Sequence, residues 1–398
     1  EDYEKVFLTT RLALNRLVLG DLDNARVEIK RTHEREAVIA EFRAKETAKA
    51  EAEAKEKGAD AKGKELNGYP VETLNDPAVL KLKNGYQNAL SHYLSGFVYE
   101  VLGEDGLAAP GYRKAIELRP EVPLLEEGLR GLDQRTSFTH KRRQAKTDVL
   151  LIVEAGTSPA RKPKAFTVPV PISGRLNSVS ISYPVIEPNK EPLLTGLTLG
   201  GAEFKLEPVV DVDLMARRAL SDEMPGMVLR GITRAIVKGT VQNELQKRAG
   251  LFGAVVGLAA SVVTEQADDR MWRMLPGRVY LARAYLEPGE HRLVFNGQPV
   301  GEPVKIDGQY AVLNMRLFEG QWVMHDVAKF GRLVAPPPAA AAPAATTAVV
   351  SGKVEAPAAV APKPAAKPAV KPAAPAAAKP AAAAAKPAAA PAVVPKPN

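Results

Sequence analysis

Gly103-Glu104-Asp105-Gly106-Leu107-Ala108-Ala109-Pro110-Gly111-Tyr112-Arg113-Lys114-Ala115-Ile116-Glu117-Leu118-Arg119-Pro120 decides how the first third of this chain folds. Counted from Gly103, the residues Ala108, Tyr112, Ala115 and Pro120 fall at +5, +9, +12 and +17. Each has a physical task. Gly opens a turn between two antiparallel helices, small Ala lets them approach, the large apolar residue fills the groove, and Pro ends the second helix. A shorter copy starts at Gly20, with Ala25 at +5 and Ile29 at +9. Leu94, Gly96, Tyr99 and Leu102 lead into Gly103, as Leu12, Leu14, Leu17 and Leu19 lead into Gly20, so an apolar helix feeds each turn.

This spacing resembles the tetratricopeptide helical hairpin, whose stacked copies build a concave protein-binding surface. A generic helical bundle with glycine turns is the plainer alternative. Two hairpins are fewer than the three or so that a solenoid needs, and since Glu1 stands first without an initiator Met, earlier helices are expected upstream. Polar residues on helix faces otherwise lined with Leu fix an extended peptide in such a groove. Asn15, Arg26, Asn88, His92 and Tyr99 are therefore the candidate protein-binding groove.

The chain has 398 residues, 45% of them hydrophobic, enough for sizeable cores and a tail. It has no Cys, which excludes disulfides, thiolate metal sites and a Cys nucleophile from this sequence. The net charge of +8 is unevenly placed: Ser351 to Asn398 carries seven Lys and one Glu, a net +6, leaving +2 for everything before it. A nucleic-acid face needs clustered cations on a folded surface. The densest cluster, Lys141-Arg142-Arg143 with Lys146, reads as a solvated helix end, and no nucleic-acid partner is expected.

The expected fold class is α+β. Residues 1–145 form a helical-repeat module, 146–333 a β-rich domain with a helical insertion at about 214–274, and 334–398 a disordered Ala/Pro/Lys tail. Ala44 to Lys57 is rich in Ala, Glu and Lys, strong helix formers without an apolar face, so it reads as an exposed or partly frayed helix. At Thr147 the period changes. Val149 to Val153 is a short apolar run as in a buried strand, and Leu176 to Ile186 alternates. A hairpin is expected about Gly200-Gly201, another across Pro288-Gly289 joining Arg278–Leu286 to His291–Phe295, and a third across Asp307-Gly308 joining Val304–Ile306 to Ala311–Arg316. An antiparallel sheet or sandwich follows.

Within the insertion, Ala249 to Val263 is apolar and includes Gly253 and Gly257. It is shorter than the roughly 20 residues a spanning helix needs, so it reads as a core or oligomer-contact helix, with membrane association as the alternative. The tail repeats Lys-Pro, which favours an extended chain; its 64 residues from Ala335 would reach on the order of 200 Å. Such a basic arm suits a tether through a polyanionic wall, or a solubilising tail without a target.

No Gly-x-Ser-x-Gly elbow, phosphate loop or His-Glu-x-x-His pattern is present, and no two His stand at metal-ligand spacing, so no cofactor or metal is expected. Gly20-Asp21-Leu22-Asp23 reads as helix capping rather than a calcium loop. Asp211, Asp213 and Asp222-Glu223 read as a solvated loop and helix start; a hidden enzyme in the β-rich domain would need Asp211, Asp213 or Arg270 to converge. In Glu265 to Gly277, Trp272 and Leu275 are expected to cap the sheet core.

Taken in order, these blocks resemble an uncharacterised bacterial envelope family of tetratricopeptide-repeat-containing predicted lipoproteins, often encoded near penicillin-binding-protein activator lipoproteins. The residues that carry the likeness are Tyr3-Glu4, Ala13-Leu14-Asn15, Leu19-Gly20-Asp21, Ala25-Arg26-Val27-Glu28, Asn88, His92-Tyr93-Leu94-Ser95-Gly96, Val153-Glu154-Ala155-Gly156 with Pro159, and Glu265 to Pro276. It covers about Glu1 to Phe330 and leaves out the tail. The resemblance implies an exported, periplasmic, outer-membrane-associated protein whose leader and lipid-anchor Cys lie upstream of Glu1, and it supplies no catalytic residue. The expectation is a non-enzymatic scaffold that binds a protein or peptide partner in the envelope. The alternatives are a regulator of peptidoglycan synthesis whose tail contacts the wall, and an unrecognised enzyme.

Overall fold

The computed structural model describes residues 1–56, 76–133, 146–172, 175–224, 227 and 270–333. The apolar run Ala249–Val263, the cluster Lys141–Arg143 and the Ala/Pro/Lys tail lie outside these residues. The described chain is α+β and belongs to one compact unit, Glu1–Ala339.

Its helices are α1 (Asp2–Val18), α2 (Leu22–Glu56), α3 (Pro77–Leu80), α4 (Ala89–Val101), α5 (Asp105–Leu118), α6 (Pro123–Asp133) and α7 (212–224). The two hairpins α1–α2 and α4–α5 close with the same turn. Gly20 and Gly103 have φ 78° and 76°. In the first turn Gly20 N–H donates to Leu17 O and Asp21 N–H to Arg16 O; in the second Gly103 donates to Glu100 O and Glu104 to Tyr99 O. This is the Schellman closure, in which a left-handed residue lets two amides cap the last carbonyls of the helix. Asp21 then accepts Asn24 N–H at 3.2 Å and opens α2, so its role is capping.

The positions after the turns act as their chemistry requires. Ala25, Ala108, Tyr112 and Ala115 are fully buried and Ile29 nearly so. The approach of α4 to α5 is set by glycines, since a Cβ on Gly111 would meet Gly96 N at 2.6 Å and His92 O at 2.9 Å. Helix α2 continues to Glu56, so its Ala/Glu/Lys half is helical, with exposed side chains up to Lys49 apart from half-buried Arg43.

The strands are β1 (Thr147–Ala155), β2 (Arg161–Ile172), β3 (Arg175–Ile186), β4 (Gly196–Leu199), β5 (Ala202–Lys205), β6 (Glu207–Asp211), β7 (Arg278–Leu286), β8 (Gly289–Phe295), β9 (Gln298–Ile306), β10 (Tyr310–Phe318), β11 (Gln321–Met324) and β12 (Ala328–Phe330). A six-stranded sheet runs β11-β10-β1-β7-β6, with β12 also on β10; a four-stranded sheet runs β5-β4-β8-β9; β2 and β3 form a hairpin of their own.

Two expected hairpins are corrected. Strand β7 pairs with β1 and β6, not with β8, and β10 pairs with β1, β11 and β12, not with β9. Pro288-Gly289 and Asp307-Gly308 are crossings between sheets. The true hairpin, β8–β9, turns at Asn296-Gly297, both with positive φ (50° and 77°), the Asn-Gly signature of a tight turn. The expected hairpin at Gly200-Gly201 is present as β4–β5. The sheet is also not wholly antiparallel, because β1 and β10 run parallel, Asp148 opposite Tyr310 through Ala155 opposite Leu317. The excursion of the chain into the second sheet supplies the long crossover that a parallel pair requires.

Strand β1 explains the layering. Its apolar run is buried on both faces: Leu150 and Ile152 join the helical core, whereas Val149, Leu151 and Val153 join the core beneath the second sheet. Helices, six-stranded sheet and four-stranded sheet therefore form three layers. The chain junction near residue 145 is not a gap in packing, since one hydrophobic cluster runs from Tyr3, Leu14 and Tyr93 to Val279, Leu281 and Val312.

Gly20→Ala has open space for its Cβ and carries only the left-handed backbone cost of about 1 kcal/mol. Gly111→Ala must push the α4 and α5 backbones away from each other and costs about 3 kcal/mol. Urea unfolding of both variants checks the order; equal losses would refute the close α4–α5 contact.

Candidate functional site at the helix–sheet seam

The inner face of the helical layer is occupied by the chain's own sheet. Helix α1 packs on β10, α4 on β6 and α6 on β7. Phe97 meets Tyr310 edge to face with ring centroids 5.9 Å apart.

This packing sorts the five groove candidates. Asn88 is 2% exposed and caps α4, its Oδ1 accepting Ser91 N–H at 2.8 Å. His92 is 5% exposed and hydrogen-bonds to Glu36 at 3.0 Å. Neither offers a surface to a peptide. Asn15 is exposed, Arg26 and Tyr99 are half-buried, and all three stand toward the turn end of their hairpins. Arg26 reaches from α2 to Glu104 in the second turn at 3.3 Å. The structure thus keeps Asn15, Arg26 and Tyr99 near one edge of the helical layer and removes Asn88 and His92 to its interior.

At the centre of the seam lies Arg283 on β7. Asp148 on β1 accepts its Nε at 2.8 Å and Nη2 at 2.7 Å; Glu100 on α4 accepts Nη2 at 2.7 Å and Nη1 at 3.1 Å. The hydroxyls of Tyr112 and Tyr93 lie 3.2 and 3.4 Å from Nη1, Tyr112 also donates to Glu100, and the guanidinium stands 5.2 Å over the Phe97 ring. Burial disfavours the charge, but Asp148 and Glu100 outweigh it and hold the Arg283 pKa well above its ordinary value. Burial likewise pushes Tyr93 up to about 12 and Tyr112 higher, so both hydroxyls remain neutral. Chemically, this is an ion-pair clamp between two layers, largely shielded from solvent.

A second buried cluster joins α2 to α4. His33 and His92 stack with centroids 4.6 Å apart, and Glu36, 4% exposed, accepts from Gln87 at 3.0 Å as well as contacting His92. His33 Nε2 and Glu36 Oε1 are buried without a protein partner. Desolvation, and then the charge of His92, lowers the His33 pKa to about 4. The two His are 59 positions apart in sequence, so spacing gave no sign of their meeting. The signal available was His33-x-x-Glu36 on one helix face. Stacked rings present parallel rather than convergent lone pairs, and among the described residues no group of three His, Cys, Asp or Glu is placed to hold a metal.

The acidic residues of the β-rich region are held in separate pairs. Asp211 pairs with Arg278 at 2.8 Å and accepts Leu214 N–H at 3.0 Å at the start of α7. Asp213, only 3% exposed rather than solvated, pairs with Arg217 at 2.8 Å, and burial raises its pKa. Asp222 and Glu223 pair with Arg218 and Arg43. Leu275 is buried as expected, but Trp272 is 38% exposed and does not cap the core. A recess of about 20 Å³ beside Asn88, bordered by Asn84, Gln87, Arg119 and Asp211 among others, has room for a water molecule. Among the described residues no helix is long and apolar enough to cross a membrane. Compared with known proteins, the chain matches no family model, no curated protein and no solved structure.

Arg283→Met leaves Glu100 and Asp148 buried without their counter-ion and lowers stability by about 3–5 kcal/mol, read by denaturant unfolding. His33 gives a pH dependence of defined sign. Its folded pKa, about 4, lies below the unfolded value near 6.5, so the unfolded chain binds a proton that the folded chain refuses. Its contribution is complete above about pH 6.5 and is lost as pH falls toward 4, by on the order of 2–3 kcal/mol. His33→Gln should flatten that stretch of the stability profile; an unchanged profile would refute the assignment.

Proposed function

We propose that this chain is a non-enzymatic, protein-binding scaffold of the bacterial cell envelope, built on tetratricopeptide-type hairpins and acting in the periplasm. One observation carries the reading: two hairpins of the same chain share the three-residue turn, the left-handed glycine and the buried small residue at +5. Such a repeated unit is suited to presenting side chains at a fixed spacing.

The partner surface in this reading is the turn edge of the helical layer. There Leu19 and Leu107 are 76% and 55% exposed, Arg26 spans the hairpins, and Asn15 and Tyr99 supply polar contacts. A protein or peptide segment with apolar anchors and an acidic group suits that edge. The rival, a wall-associated regulator of peptidoglycan synthesis acting through the Lys-Pro arm, is favoured by tail composition alone.

Crosslinking pull-down from envelope extracts separates the two. The intact chain is compared with Leu19→Ser/Leu107→Ser, Arg26→Glu, and a chain ending at Phe330. Loss of the partner with the edge variants and its retention by the shortened chain is expected. Retention by the edge variants and loss with the tail would replace the scaffold reading with wall association.

A further inference from the structure

The exposed apolar side chains that neither the seam nor the turn edge uses include a set on the outer flank of α1. Leu8, Leu12, Trp272 and Met274 are 43%, 40%, 38% and 60% exposed. Three contacts bring them together. Glu4 accepts Trp272 N–H at 2.7 Å. Arg316 donates to Met274 O at 2.8 Å. Arg11 pairs with Glu154, the β1 neighbour of Arg316 on β10. The 271–274 strap therefore runs along the flank of α1 that carries Glu4, Leu8 and Arg11, with Leu12 on the next position of that face.

Two carboxylates beside the patch are already engaged, Glu154 being 1% exposed and bound to Arg11, and Glu4 bound to the strap. Arg273 is exposed, and half-buried Arg316 donates to the main-chain carbonyls of Gly156 and Met274. Burial lowers the pKa of Arg11, and nearby Arg316 lowers it further.

We infer that this patch docks on an anionic phospholipid surface, Trp272 and Met274 entering the interfacial zone while Arg273 and Arg316 meet headgroup phosphates. An indole at the edge of an apolar patch suits the boundary between headgroups and acyl chains. Guanidinium groups match phosphate oxygens in pairs. A helix crest beside a short strap is a surface to lay on a plane rather than a cleft to enclose a peptide. This contact is separate from any anchor upstream of the chain and from the turn edge.

The chain has two Trp, and Trp322 packs on Phe295, so the full-length Trp322→Phe protein reports on Trp272 alone. It is mixed with phosphatidylglycerol–phosphatidylcholine vesicles, with and without brominated acyl chains. Blue-shifted emission, quenching by brominated lipid, and weaker sedimentation with vesicles for Trp272→Ala/Met274→Ser, by about tenfold, are expected. Arg273→Gln, at an exposed position, should weaken binding about fivefold, and pure phosphatidylcholine should not bind. Sedimentation without quenching means that the Lys-rich tail alone holds the vesicle and overturns the proposal. So does emission that shifts with protein concentration but not with lipid, which would make the patch a contact between copies of the chain.

Discussion

A single guanidinium, Arg283, holds the helical layer and the sheet in one arrangement. Its five N–H donors are divided between carboxylates from two different layers, Asp148 of β1 and Glu100 of α4, with tyrosine hydroxyls completing the shell. A buried cation is tolerated only with such complete pairing, and the pairing exists in only one register. In the β1–β7 ladder Arg283 stands opposite Leu150, on the face that Asp148 and Ile152 share. A slip of one residue would turn the guanidinium into the dry core beneath the second sheet, where Leu151, Leu313 and Phe204 lie.

The hairpin signature and this clamp are physically connected through Tyr112. A Cβ on Gly96 would lie 2.6 Å from its ring and one on Gly128 2.9 Å, so glycines on α4 and α6 shape the socket in which the ring sits. The socket aims the hydroxyl at Glu100 and Arg283. The equivalent position in the first hairpin, Ile29, only fills space. The same offset after the turn thus does packing alone in one copy, and packing plus a polar contact in the other.

What could be read from sequence follows from the range of the interactions involved. The helix turns at Gly20 and Gly103 are local, governed by one dihedral and two amides, and the offsets after them revealed the hairpins. Strands were legible from apolar runs and alternation, but their partners were not. Pro288-Gly289 and Asn296-Gly297 both mark turns, and only the second has the paired positive dihedrals of a tight hairpin. A choice between pairing β7 with β8 or with β1 depends on which faces are buried, and that is settled across more than a hundred residues of chain. Of the groove candidates, Asn88 and His92 were misplaced because a polar residue in a Leu-rich helix reads alike whether it meets solvent or a buried glutamate. Glu36, the partner that distinguishes the two cases for His92, lies on another helix.

Two helical hairpins do not bury both of their faces. In a solenoid the next repeat covers the open one, which is why about three are needed for stability. Here the six-stranded sheet takes that place: Tyr310, Val279, Leu281 and Val312 supply the apolar surface to α1, α4 and α6, and Arg283 supplies the specificity. Covering the inner face in this way stabilises a short array and uses up the concavity with which longer arrays hold peptides. In the scaffold reading proposed above, recognition rests on what the sheet leaves outside: the turn edge, where Arg26 joins the hairpins, and the flank of α1, where Leu8 and Trp272 meet solvent. The sheet that makes two hairpins sufficient for a fold also leaves only their outer faces open to solvent.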